Sequence, residues 1–312
     1  MQKVAIVGSG LIGRAWATVF ASHGWQVALN DVAPGAAQAA IAHIGQALDE
    51  LAGHGLVEDP KGALARVAAP ATLAEAVEGA SLVQENGPES VEAKRALFAE
   101  LDRLAHADAI LASSTSFIVA SRFSEDLPGR RRCLVAHPVN PPHLVPIVEL
   151  CPAPWTDPAV VERARAIYES AGQVPILVRK EAFGFVLNRL QAVLMAEAFR
   201  LVGEGIVSPD DLDKTIRDGL GLRWAFLGPF ETIELNAPGG IPDYCKRYAP
   251  SLGALVEDAI GEDPFGERNA QAVLDQWEGS HDPERIRRLS AWRDARLAAL
   301  KAHKRAAAAK PD

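Results

Sequence analysis

A short apolar run, Lys3–Val7, ends in Gly8-Ser9-Gly10-Leu11-Ile12-Gly13, and an amphipathic segment, Leu11–His23, follows at once. No other feature of the chain restricts its fold so strongly. A strand that turns straight into a helix through G-x-G-x-x-G aims the helix's first unpaired backbone N–H groups at one point in front of the turn. The first glycine permits the tight turn and the second lets an anionic group approach the backbone. The third lets helix and strand pack closely. The next apolar run, Gln26–Asn30, closes on Asp31. An acid about 20 residues past such a turn accepts both ribose hydroxyls of an adenosine. It also repels a 2′-phosphate, and Val32 and Ala33 bring no cation to hold one. The bland alternative is a glycine-rich turn with a capping acid. The expectation is a dinucleotide site that prefers NAD to NADP, with Gly8, Gly10, Gly13 and Asp31 in it.

The same alternation continues through the first half. Ser81–Gln84, Ala109–Ala112, Arg132–Ala136, Pro146–Leu150 and Pro175–Val178 read as strands, being short and rich in Val, Ile and Leu. Gly35–Leu51, Val91–Leu104 and Pro158–Ala171 read as helices between them. Strands fed by helices predict βαβ units and a mostly parallel sheet. From about Phe183 the strand signals stop. Leu187, Leu190, Leu194, Ala198 and Leu201 recur at three- and four-residue steps, one face of a long helix. Ser208-Pro209-Asp210 reads as an N-cap with proline at the first helical position. A last helix is expected near Asp282–Arg305, with the end from Ala306 frayed. A chain of 312 residues fits two domains on a soft prior of about 100–200 residues each. The fold class expected is α/β. Residues 1–182 form a Rossmann-type doubly wound sheet, and residues 183–312 form an all-helical domain.

Composition narrows the partners. Lys and Arg number 32 against 40 Asp and Glu, a net charge of −8, which is the wrong sign for a nucleic-acid footprint. No apolar run approaches the roughly 20 residues of a membrane-spanning helix, and no small-residue cleavage signal follows the first apolar stretch. Cys133, Cys151 and Cys245 are an odd count without C-x-x-C spacing. They suit reduced thiols in a cytoplasm and imply neither a disulfide framework nor a zinc site.

Three polar clusters fall where a doubly wound sheet places its strand ends. Ser113-Ser114-Thr115-Ser116 follows one strand, His137-Pro138-Val139-Asn140-Pro141-Pro142 follows the next, and Glu149 lies in Pro146–Leu150. Ligands in such sheets bind outside the carboxyl ends of the strands. A histidine there, with a carboxylate on the next strand to hold one ring nitrogen, suits a general base. Singly, each residue also has a structural reading: a capped serine turn, a core histidine, a solvated glutamate.

Taken together, Gly8–Gly13, Asp31, Ser114-Thr115-Ser116, His137 with Asn140, Glu149 and Gly184-Phe185-Val186-Leu187-Asn188-Arg189-Leu190 resemble the 3-hydroxyacyl-CoA dehydrogenase family. Ser9, the Ala136–Pro142 stretch, Glu204-Gly205-Ile206-Val207-Ser208-Pro209 and Gly219–Pro229 are similar to its lambda-crystallin / L-gulonate 3-dehydrogenase branch. The resemblance spans almost the whole chain. It implies that His137 is the base and Glu149 its orienting partner. It implies that Ser116 and Asn188 surround the reacting oxygen and nicotinamide. Leu11, Ile12, Asp31, Glu89, Lys94 and Asn140 match cofactor-contacting positions. A homodimer formed through the helical domain is implied as well.

Departures from the family's pattern bear on substrate. Acyl-CoA enzymes hold a phosphate-bearing handle with basic residues, yet Pro34 to Asp59 contains no Lys or Arg. Their Tyr-Pro-Met-Gly-Pro stretch is replaced by Leu222-Arg223-Trp224-Ala225-Phe226-Leu227-Gly228-Pro229. Arg223 is the candidate to fork a small carboxylate with two hydrogen bonds, a surface ion pair being the even alternative. A small free 3-hydroxy acid is therefore expected, L-gulonate first and L-carnitine second, with an acyl-CoA third. For carnitine, Trp224, Phe226, Phe230, Tyr244 and Tyr248 offer parts of an aromatic cage. A structural, crystallin-like relative and a nucleotide-sensing regulator are the readings from other classes. The complete set Ser116, His137, Glu149 and Asn188 speaks for the enzyme.

Overall fold

The computed structural model of the protein describes residues 2–259, 261, 263–277 and 282–307. The chain divides into two compact units, one of Met1–Val186 with the stretch from Arg287 onward, the other of Leu187–Ile286.

The first unit is built on an eight-stranded sheet. Its strands are β1 (Lys3–Val7), β2 (Gln26–Asn30), β3 (Val67–Ala68), β4 (Leu82–Glu85), β5 (Ile110–Ser113), β6 (Cys133–Pro138), β7 (Ile147–Pro152) and β8 (Val174–Leu177), in the order β3-β2-β1-β4-β5-β6-β7-β8. Every neighbouring pair is parallel except β6–β7. The seven expected strands are present within a residue or two. The eighth, β3, has two residues, too few for a periodicity to reveal. From β1 the chain runs to β2 on one side and later returns to β4 on the other, so β1 and β4 flank the topological switch point at which open α/β sheets bind ligands.

Alternation along the strands feeds two cores, one on each face of the sheet. Val4 and Ile6 of β1 and Leu134 and Ala136 of β6 join one core, whereas Ala5, Val7, Cys133 and Val135 join the other. The first core is covered by α1 (Leu11–Ser22), α2 (Ala36–Gly53) and α3 (Pro60–Ala65), with Trp16, Phe20 and Ile44 fully buried. The second is covered by α4 (Leu73–Val77), α5 (Val91–Leu104) and α6 (Ser121–Ser124), where Phe98 packs on Phe123 at 4.4 Å between ring centres. The fully buried Tyr168 of α7 (Pro158–Ser170) stacks on Trp16 at 5.4 Å.

Among its described residues the second unit is helical, as expected. It holds α8 (Leu187–Gly203), α9 (Pro209–Lys214), a π-helical turn at Thr215–Leu220, α10 (Gly221–Trp224), α11 (Pro229–Glu234), α12 (Gly240–Asp258) and α13 (Glu267–Gln276). Ser208 caps α9 by accepting from Asp211 N at 3.1 Å, with Pro209 behind it, as the sequence predicts. Of the apolar stripe read from the sequence, Leu187, Ala198 and Leu201 are half-buried while Leu190 and Leu194 are exposed, as is the neighbouring Val193.

The compact units group the chain differently from the expected division, 1–182 and 183–312. The first unit runs on to Val186, and α14 (Pro283–Ala306) belongs with it from Arg287. Ala298 is buried in the first core, Leu297 packs against that core, and Lys301 Nζ donates to the His143 carbonyl at 2.9 Å. A small residue at position 298 lets the helix backbone approach the core closely. From residue 308 the end expected to fray lies outside the described residues. No described helix is long and apolar enough to cross a membrane.

Candidate active site

The parallel register places the carboxyl ends of four strands side by side: Val7 beside Glu85, Glu85 beside Ser113, Ser113 beside Val135. The glycine turn leaves β1 at this end. Gly8 has φ +92°, and a Cβ there would stand 2.8 Å from Asn86 O. A Cβ on Gly13 would lie 1.8 Å from Gly8 O, so strand and helix meet with no room for a side chain. At Gly10, by contrast, an added Cβ meets nothing within 4 Å. Close packing behind the turn and open space before it is the shape a pyrophosphate requires.

Asp31 clasps this turn. Its Oδ2 accepts from Ser9 N at 2.6 Å and from Ser9 Oγ at 2.8 Å, and Oδ1 accepts from Ala33 N at 2.9 Å. Partial burial pushes its pKa up, but the bonds from Ser9, Ala33 and Val32 outweigh that and hold it below the usual carboxylate range. Asp31 is therefore ionised at neutral pH and repels a further phosphate.

The serine-rich cluster is divided among three tasks. Ser113 Oγ donates to Glu85 Oε2 at 2.5 Å. Ser114 Oγ accepts from Gln84 Nε2 at 2.7 Å and from Trp16 Nε1 at 3.0 Å, and donates to Asn86 Oδ1 at 2.8 Å. The hydroxyl of Tyr168 closes that network on Gln84 Oε1. Thr115 Oγ1 donates to Glu89 Oε1, which also accepts from Phe117 N at 3.0 Å. Ser116 lies between these tethers, half-buried on the loop after β5.

Lys94, matched with Glu89 by the resemblance to cofactor-contacting positions, lies beneath the surface. It is 1% exposed, and its ammonium lies 3.0 and 2.9 Å from the two carboxylate oxygens of the equally buried Glu85. Glu85 Oε1 in turn accepts from Gly87 N at 2.5 Å. A lysine this deep needs a carboxylate partner, so the ion pair holds the β4–α5 loop from beneath while Glu89 and Leu11 are exposed above it. Ile12 packs against the first core, and Asn140 is exposed at the start of the loop after β6, where the Asn140–Pro141 bond is cis.

His137 and Glu149 face each other across the β6–β7 ladder. Nδ1 of His137 lies 2.8 Å from Glu149 Oε2. His137 is 5% exposed and Glu149 0%. Glu149 Oε1 accepts from Val186 N at 2.9 Å. That contact depends on Gly184 and Phe185, which take the left-handed φ values of 75° and 50°. The Phe185 ring is buried against the imidazole, with 5.4 Å between centres. Sequence reading missed Phe185 and Val186 as parts of this site. The Ala182-Phe183-Gly184 stretch marks a turn, but not one that brings a backbone N–H to a carboxylate.

The structure thus gathers the glycine turn, Asp31, Glu89, the Ser113–Ser116 loop, His137 and Glu149 at one end of one sheet. Asn188, the second residue of α8, and Arg223, exposed in α10, belong to the second unit. Arg223 enters no ion pair among the described residues, and Trp224 is 41% exposed.

Residues 3–182 match the NAD binding domain of 3-hydroxyacyl-CoA dehydrogenase, and residues 184–276 match its C-terminal domain. A lambda-crystallin homolog of Bos taurus is 44% identical over 306 residues, covering 96% of this chain and 95% of that protein. An L-carnitine dehydrogenase of Oceanobacillus iheyensis is 39% identical over 254 residues, 81% of this chain and 82% of that one. In three dimensions the NAD+-dependent 5-formyl-3-hydroxy-2-methylpyridine 4-carboxylic acid 5-dehydrogenase superposes with a TM-score of 0.84 at 30% identity, covering 96% of this chain and 97% of that one. The chain belongs to the 3-hydroxyacyl-CoA dehydrogenase family of oxidoreductases, with NAD as its cofactor.

Proposed function

We propose that this protein oxidises the 3-hydroxyl of a small free 3-hydroxy acid, L-gulonate foremost, to the 3-keto acid. The observation that carries the reading is the buried His137–Glu149 pair at the strand ends beside the glycine turn. With Glu149 ionised, Nδ1 of His137 holds the shared hydrogen and Nε2 is left as a proton acceptor. His137 takes the hydroxyl proton at Nε2, and Glu149 stabilises the imidazolium that forms. NAD bound at Gly8–Gly13 supplies the acceptor for the hydride of the same carbon. Val186 N–H and the Phe185 ring keep the carboxylate and imidazole aligned. Gly8, Gly10, Leu11, Ile12, Gly13, Asp31, Glu89, Ser116 and Asn140 are assigned to the cofactor. Lys94 acts from behind, through Glu85. Ser116 and Asn188 are assigned to the reacting oxygen, and Arg223 to the substrate carboxylate.

The substrate reading rests on the absence of Lys and Arg from Pro34 to Asp59 and on 44% identity to a lambda-crystallin homolog along nearly the full chain. L-Carnitine is the second reading. Relatives of that name reach 39% identity, and Tyr244 and Tyr248 pair at 4.8 Å with Phe230 exposed in the same unit. We also assign a homodimer made through the helical unit, where Leu190, Val193 and Leu194 remain uncovered, and a cytoplasmic location in keeping with three free thiols.

NADH absorbance with L-gulonate, L-carnitine and 3-hydroxybutyryl-CoA tests the reading. The highest kcat/KM is expected with L-gulonate. A higher value for the thioester refutes the free-acid assignment. No turnover of any of the three favours a structural role over an enzyme of this specificity.

A further inference from the structure

A cavity of about 620 Å³ opens in the first unit among residues that the reaction does not use. Its walls are largely apolar, with Val19 of α1, Leu51 of α2, Val57 beyond it, Leu144 and Leu297 among them. Two observations set it apart from a simple packing defect.

The first is hydrogen bonding. Among the described residues, only His143 Nδ1 and Gln173 Oε1 are buried side-chain polar atoms without a partner, and both residues line this cavity. Gln173 is 5% exposed. Buried polar atoms in native proteins are nearly always paired, and each exception calls for a partner such as water, an ion or a ligand. Two exceptions on one cavity point to a shared occupant.

The second is charge. The chain carries a net −8, yet no Asp or Glu lines the cavity, while His23, His143, Lys301, Lys304 and Arg305 do. Lys301 is half-buried and donates to the His143 carbonyl at 2.9 Å, so a cation is tethered to the residue whose Nδ1 is without a partner. No carboxylate pairs with Lys301 among the described residues. Burial, and Arg305 nearby, push its pKa down to about 8, as expected of an ammonium lacking its counter-ion. Burial pulls His143 down to about 4, so at neutral pH its ring is neutral and Nδ1 can donate to an anion. The Gln173 amide, turned about its last torsion, presents its NH2 to the same anion.

We propose that this cavity is a second ligand site, for a small amphipathic carboxylate. Its apolar body lies against Val19, Leu51, Val57 and Leu144, and its carboxylate pairs with Lys301 and His143. One half-buried ammonium matches one negative charge, and apolar walls exclude a purely hydrated anion. None of the residues in this site belongs to the nucleotide turn or the His137–Glu149 pair, so it fills independently of NAD.

Calorimetric titration of the full chain with octanoate, with and without saturating NAD, tests this. One-to-one binding of equal affinity is expected in both cases, with acetate and 1-octanol each at least about 10-fold weaker, or 1.4 kcal/mol. Lys301→Met should weaken octanoate at least about 10-fold, whereas Lys301→Arg stays within about threefold, and both keep wild-type NAD affinity. Absence of octanoate binding overturns the proposal. So does competition with NAD, equal binding of acetate or octanol, or wild-type affinity in Lys301→Met.

Discussion

His137 and Glu149 are register partners on the antiparallel seam of a sheet that is otherwise parallel, with Nδ1 and Oε2 2.8 Å apart. Partners directly opposite on an antiparallel pair lie close and on the same face. The reversal of β7 therefore places the carboxylate opposite the imidazole. Glu149 is fully buried, and its second oxygen is held by Val186 N–H, so solvent does not compete for its position.

His137→Ala is expected to lower kcat at least about 100-fold, the lower bound for loss of a positioned general base. NAD affinity, measured by fluorescence quenching, should stay within about twofold. Glu149→Gln should lower kcat as well and displace its pH profile, because the imidazolium loses its counter-charge. Turnover near wild type in His137→Ala refutes the assignment.

Asp31 is ionised and clasps the turn, so NAD should exceed NADP in kcat/KM by at least about 100-fold, the equivalent of roughly 2.7 kcal/mol. Asp31→Ser should narrow that ratio chiefly by weakening NAD. Similar kcat/KM values for the two cofactors in the unaltered protein contradict the role given to this carboxylate.

Arg223 is exposed and enters no ion pair among the described residues, so it has a guanidinium to offer a ligand. Arg223→Met should raise KM for the hydroxy acid about 10-fold or more, at 1.4 kcal/mol per decade, and leave NAD affinity unchanged. Steady-state kinetics showing an unaltered KM would remove Arg223 from the substrate site.

Burial lowers the His143 pKa to about 4 in the folded chain, against 6.5 for the free side chain. Between those values the unfolded state binds the proton and the folded state does not. Stability is thus retained above pH 6.5 and falls as pH drops toward 4. In thermal melts the loss over this window should be shallower for His143→Gln than for the unaltered protein. Parallel slopes would show that the ring titrates normally.

The uncovered α8 residues Leu190, Val193 and Leu194 lead us to expect a two-fold dimer, the commonest closed assembly. Sedimentation at micromolar concentration should give twice the 33.3 kDa chain mass, and Leu194→Glu should shift it toward one. A monomer in the unaltered protein excludes the dimer.

What the sequence determined by itself was local. Gly8, Gly13 and Asp31 are legible because a tight turn, a close backbone approach and an acid at a strand end each demand particular residue types at fixed spacing. The alternation of strands and helices is legible because periods of 2 and 3.6 follow from backbone geometry alone. Tertiary structure decided what depends on meeting partners distant in the chain. Lys94 and Glu89 both read in sequence as charged residues available to a ligand, yet only the fold reveals that Lys94 is sealed against Glu85. The Pro283–Ala306 helix is recognisable as a helix, but which core receives it rests on the fit of Ala298, a contact that periodicity does not encode. Phe185 and Val186 belong to the site because two left-handed residues turn one N–H toward Glu149. A residue's type reports what it is able to do; only packing selects the partner with which it does it.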